Sequence, residues 1–132
     1  MADSVFTRII RGEIPAEKIY EDENTIAFLT IQPIQPGHTL VVHKKQIDHI
    51  WDLPDEDYHV LMTTVKKVAN HMREKLPEYK RIGVKVEGVE VPHAHVHLIP
   101  FNTIAEFNEF PKGSTPQELA EMGQKLRFTD QG

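Results

Sequence analysis

Between residues 54 and 76 apolar side chains return every three or four positions: Tyr58, Leu61, Met62, Val65, Val68, Ala69, Met72 and Leu76. That spacing puts them on one stripe and predicts a long helix with one core-facing side. Pro54 suits the first helical position, and Asp55, Glu56 and Asp57 complement the positive end of the dipole. Arg73 and Lys75 fall in the last turn, with Pro77 just beyond. His59 and His71 lie beside the stripe and are expected in solvent.

The other patterns are shorter. Val5, Phe6, Ile9 and Ile10 have helical spacing that stops before Gly12. Residues 18–20 and 25–31 flank a polar 21–24 segment and predict a hairpin. After Pro33 and Pro36-Gly37, residues 39–42 read as a third, buried strand. Residues 82–87 and a run starting near His93 and ending at Ile99 add two more. Residues 116–122 predict a short closing helix, with Leu119, Met122 and Leu126 as its weak apolar face. The irregular stretch 102–116 is a candidate for shaping a substrate mouth. Core packing is the first expectation for Trp51, Phe107 and Phe110. Five strands, one dominant helix and hairpin-length connections predict a single α+β domain over residues 1–132, with a five-stranded antiparallel sheet.

Composition narrows the function classes mainly by exclusion. Cysteine is absent, which removes disulfides and thiolate metal sites and agrees with a reducing, cytoplasmic setting. The net charge is -5 with no basic block, so neither polymeric nucleic acid nor a membrane is an expected partner. No targeting segment or membrane-length apolar run is visible.

One pattern carries chemistry. In His93-Ala94-His95-Val96-His97 the histidines alternate with apolar residues. On a strand the three imidazoles share one face, with neighbours about 6.6 Å apart and the outer pair about 13 Å apart. Burying three titratable rings is costly unless each finds a partner, which argues against a purely structural role. A metal site remains open, using two of the three rings with His38 or His43 as a further ligand; a span of about 13 Å prevents all three from meeting one ion. Nucleophilic catalysis fits the row better. A neutral imidazole attacks phosphorus well and leaves well, and flanking rings can donate to phosphate oxygens.

The segment His93-Ala94-His95-Val96-His97-Leu98-Ile99 resembles the signature of the histidine triad (HIT) family. Residues 6–15, Ala27-Phe28-Leu29 and Pro36-Gly37-His38-Thr39-Leu40-Val41-Val42 are similar to the family's opening helix and its second and third strands. The resemblance implies a homodimeric nucleotide-binding protein that cleaves at the α-phosphate, often of a nucleoside phosphoramidate. It implies a nucleotidyl-histidine intermediate on His95, flanked by His93 and His97, with His97 nearest the phosphate. No metal or other cofactor is expected. By the same resemblance Phe28, Thr30, Ile31, Gly88 and Glu90 are the expected substrate-binding positions.

This sequence departs from the family's pattern at four places. Thr30 stands where an acidic residue commonly holds the ribose hydroxyls. Gln46 replaces a histidine after the third strand, leaving His43 or His49 as substitutes in the network behind the row. Val89 and Glu90 replace an amide and a hydroxyl before the row. An ionised Glu90 would repel a phosphate, a protonated one would act as an acid toward the leaving group, and a solvent-facing one would do neither. Two further readings therefore stand beside the enzyme: a non-catalytic nucleotide-binding module, and a metalloprotein using part of the row.

Overall fold

In the computed structural model, which describes residues 2–129, the chain runs from a short helix into a five-stranded sheet. The elements are α1 (Val5–Ile10), β1 (Lys18–Glu21), β2 (Thr25–Leu29), β3 (Thr39–His43), a 3-10 turn (Ile50–Asp52), α2 (Asp55–Lys75), β4 (Arg81–Lys85), β5 (His95–Phe101), α3 (Ile104–Phe107) and α4 (Pro116–Leu126). Every strand pairing is antiparallel, in the order β1-β2-β3-β5-β4. The expected α+β architecture is therefore present. No helix among the described residues is long and apolar enough to cross a membrane.

The two periodicities explain how the layers assemble. The α2 stripe sets Leu61, Val65, Val68 and Met72 against Ala27, Val41, Ala94, Val96 and Leu98 on one face of the sheet. Helix α4 completes this layer through Leu126, and Leu119 and Met122 pack against it. On the opposite face α1 lays Phe6 and Ile9 over Ile26, Phe28, Leu40 and Val42. Ser4 caps α1, its side chain accepting the Thr7 N–H.

Gly37 lies where these layers meet. Its φ of +92° favours glycine, and a Cβ there would stand 3.0 Å from Leu76 Cδ1 and 3.3 Å from Pro100 Cγ. It fixes the entry into β3, immediately before His38.

Several local expectations change. The last strand starts at His95, not near His93. Val42↔His95 is the end of its ladder with β3, and the His93 N–H turns back to the Val91 carbonyl at 2.8 Å. Strand β4 ends at Lys85, two residues short of the expected boundary. His71 is not solvated: its Nε2–H donates to the Leu126 carbonyl at 2.9 Å, and its ring stacks on Phe128 at 3.8 Å. Within 102–116, residues 104–107 form α3, whose capping box is built from Thr103 and Glu106. Of the aromatics expected in the core, Phe107 is partly covered by Phe101, whereas Trp51 (77% exposed) and Phe110 (87%) face solvent.

Candidate active site

Strand β5 sets His95 and His97 opposite Val42 and Leu40, so both rings lie on the α1 face. His93, fully buried just before the strand, joins them beneath Phe6. The Phe6 ring meets that of His93 edge-on at 5.9 Å and that of His95 at 4.9 Å. The His95 and His97 rings tilt to within 5.0 Å of each other. Alternation along β5 thus brings His95 and His97 together, and the turn before the strand adds His93 under the same Phe6 ring.

The hydrogen bonds fix where each ring proton sits. His93 Nε2 lies 2.7 Å from the His43 carbonyl, an acceptor, so Nε2 carries the proton and Nδ1 the lone pair. That lone pair receives the Ser4 hydroxyl at 2.7 Å. His95 Nδ1–H donates to the His93 carbonyl at 2.8 Å. Its Nε2 therefore holds a lone pair and has no protein partner among the described residues.

The third ring is set by a relay. The Ile34 N–H donates to His38 Nδ1 at 3.0 Å, which places the His38 proton on Nε2. His38 Nε2–H then donates to His97 Nδ1 at 2.9 Å. The proton of neutral His97 is thereby left on Nε2, a buried atom without a hydrogen-bond partner. Burial, reinforced by the neighbouring His97 and Lys85, holds His38 neutral with its pKa lowered to about 3. Burial likewise lowers His97 to about 4, with His95 and Lys85 adding to the effect. Burial also pushes His93 down. A lone pair on His95 thus stands beside an unsatisfied donor on His97, the complement a phosphate requires.

The metal alternative finds little to work with. His93 spends both ring nitrogens on Ser4 and the His43 carbonyl, and His38 spends both on Ile34 and His97. Among the described residues no three histidine or acidic side chains converge as metal ligands.

The expected substrate positions differ in character. Phe28 is buried and meets Phe6 edge-on at 5.5 Å, so it forms the floor of this face. Thr30 Oγ1 accepts the Gln32 N–H at 3.2 Å, which leaves its own proton free to donate. Ile31 is exposed. Gly88, with φ +67°, lines a cleft of about 90 Å³ together with His95, Glu87 and Trp51. Glu90 is exposed.

Sequence reasoning missed four neighbours. Ser4 carries no signal in the sequence, because its link to the row spans 89 positions. His38 had been considered solely as a metal ligand. Lys85 pairs with His97 across β4 and β5 and donates to the Phe107 carbonyl at 2.9 Å. Glu87 reaches within 4.0 Å of His97 Nε2. Gln46 itself, rather than His49, enters the network behind the row: its Oε1 accepts from Ser4 N at 2.7 Å and from Thr7 Oγ1 at 2.6 Å. His43 contributes its backbone carbonyl to that network, not its ring.

Comparison with known proteins shows the family and the fold. An uncharacterised HIT-like protein of Methanocaldococcus jannaschii is 40% identical over 99 residues, covering 73% of this chain and 77% of its own. The adenosine 5'-monophosphoramidase HNT1 of Saccharomyces cerevisiae is 36% identical over 99 residues, covering 75% and 63% respectively. The crystal structure of a Hit-like protein involved in cell-cycle regulation from Bartonella henselae superposes with a TM-score of 0.84 at 31% identity. That match covers 95% of this chain and 94% of the other. The HIT domain family model matches residues 11–104, a stretch that contains the whole histidine row, and the chain belongs to the HIT family.

Proposed function

We propose that the protein is a nucleotidyl hydrolase or transferase that acts at the α-phosphate of a nucleotide, with a nucleoside phosphoramidate as its preferred class of substrate. The observation that carries this reading is the paired polarity of two rings. His95 Nδ1 is committed to the His93 carbonyl, which leaves a lone pair on Nε2, while His97 Nε2–H has no hydrogen-bond partner, the Glu87 carboxylate standing 4.0 Å away. The phosphoramidase among the relatives supports the choice of bond.

The chemistry follows from these two groups. His95 Nε2 attacks phosphorus, a P–N(His) bond forms, and the bond to the leaving amine breaks as that nitrogen takes up a proton from solvent. His97 Nε2–H donates to a non-bridging oxygen as charge builds there. Water then attacks phosphorus, loses a proton and displaces His95, giving a nucleoside monophosphate. The ring leaves with its original tautomer. His93 serves through its carbonyl, and Phe28 supports the site from below. In this reading Thr30, Ile31, Gly88 and Glu90 border the bound substrate. No metal or other cofactor enters any step. The working form is a homodimer, for which the outer edge of β4, with Val84 and Val86 exposed, offers a surface.

The test is turnover of a panel of adenosine and guanosine phosphoramidates by the wild type and by His95→Ala. Release of the monophosphate by the wild type alone, with a nucleotidyl adduct by intact mass spectrometry after a non-acidic quench, is expected. Equal, background rates for both proteins would sink the enzyme reading; saturable nucleotide binding without an adduct would leave a binding module in its place.

A further inference from the structure

We infer that Ser4 is a positioning residue for the catalytic row: its hydroxyl proton seats His93 as a neutral ring, and through the His93 carbonyl orients His95. The inference rests on the reading of His95 as nucleophile. Ser4 precedes the stretch of residues 11–104 that matches the family model, so nothing in that match assigns it a role.

The Ser4 hydroxyl has one proton and two acceptors in reach, His93 Nδ1 at 2.7 Å and Thr7 Oγ1 at 3.3 Å, and the shorter contact takes it. Ser4 is buried, and its Oγ accepts the Thr7 N–H at 3.0 Å while lying 2.7 Å from His93 Nδ1. Because His93 Nε2–H is already given to the His43 carbonyl, Nδ1 is an acceptor and the serine hydroxyl is the donor. A second hydroxyl, Thr7 Oγ1, lies 3.4 Å from the same nitrogen but donates to Gln46 Oε1 at 2.6 Å, so it cannot replace Ser4 there. Gln46 fixes this end of the chain through three bonds: its Oε1 accepts from Ser4 N and Thr7 Oγ1, and its Nε2 donates to the Ala2 carbonyl at 2.9 Å. Ser4 and His93 are 89 positions apart in sequence, yet one hydroxyl joins the start of α1 to the start of the row.

The polarity of this bond matters for the nucleophile. The titratable groups acting on His93 are His95 and His43, and no carboxylate or ammonium contacts its ring among the described residues. A donor at Nδ1 disfavours a second ring proton, whereas an acceptor there would stabilise one. An imidazolium at His93 would stand two positions from His95 and make its attacking nitrogen less basic, hence a poorer nucleophile.

Three variants test this. Ser4→Asp keeps a good helix cap but replaces the donor with a carboxylate acceptor. Long-range 1H–15N spectra at pH 7 should show both His93 nitrogens protonated in Ser4→Asp and only Nε2 protonated in the wild type. In phosphoramidate turnover, Ser4→Asp should lose about tenfold or more in kcat with little change in KM. Ser4→Ala should lose severalfold, and Ser4→Thr, which returns the hydroxyl, should recover most of that loss. A neutral His93 in Ser4→Asp, or equal losses in Ser4→Thr and Ser4→Ala, overturns the inference. If the wild type turns over no phosphoramidate the functional reading fails first, while the 15N spectra still decide whether the Ser4 hydroxyl sets the His93 proton.

Discussion

The two faces of β5 are built from the same seven-residue strand yet obey different rules. Toward α2 it presents Val96 and Leu98, both fully buried among aliphatic side chains that need only fill space. Toward α1 it presents His95 and His97, whose Nδ1 atoms are hydrogen-bonded while their Nε2 atoms have no hydrogen-bond partner among the described residues. The first face holds the apolar packing, and in the proposed reading the second holds the chemistry. The second face is costly to bury, and it is held by named hydrogen bonds instead of by volume.

This contrast can be broken from either side. The largest effect belongs to His95→Ala, which should lower phosphoramidate turnover by about 10⁴-fold or more while the protein stays folded by circular dichroism. Leu98→Ala is the mirror case. It should cost about 2–5 kcal/mol in urea unfolding but leave kcat per folded molecule near the wild type.

A third test uses pH. His38 and His97 are neutral in the fold, lowered to about 3 and about 4, whereas unfolded histidine titrates near 6.5. Below pH 6.5 the unfolded chain therefore binds more protons than the native one, and stability falls as pH falls. The loss should run from about pH 6.5 down to each folded value, at up to about 1.4 kcal/mol per pH unit for each ring. Urea midpoints between pH 7.5 and 4.5 measure it. Replacing His38 and His97 together should flatten the slope, whereas Leu98→Ala should lower the whole curve in parallel. The smallest effect concerns the substrate. Thr30→Asp supplies a carboxylate where a threonine now offers one hydroxyl, and should tighten adenosine monophosphate binding by about tenfold in calorimetry.

The aliphatic face was legible in the sequence because its signal is periodic and local. The α2 stripe and the alternation around Val96 need no knowledge of distant residues. The same alternation put His95 and His97 on one face, and strand spacing argued against one metal held by all three rings, while imidazole chemistry favoured a nucleophile. What supports the histidines was not legible. The bonds from Ser4 to His93 and from His38 to His97 span 89 and 59 positions, and no local pattern records them. Glu87 and Lys85 were hidden for a similar reason, since their closeness to His97 depends on how β4 registers with β5. Trp51 and Phe110 misled because large apolar side chains are usually read as core, although much of any protein surface is apolar.

Gly37 has a bearing on how this protein can be altered. Its backbone is wedged against Leu76 and Pro100, and the residue after it carries the relay to His97. Ile34, three positions earlier, supplies the other end of that relay. A mutant library aimed at new substrates should therefore leave Ile34, Gly37 and His38 untouched. Residues 31–33, of which Ile31 is freely exposed, can accept insertions and randomisation with the relay left in place.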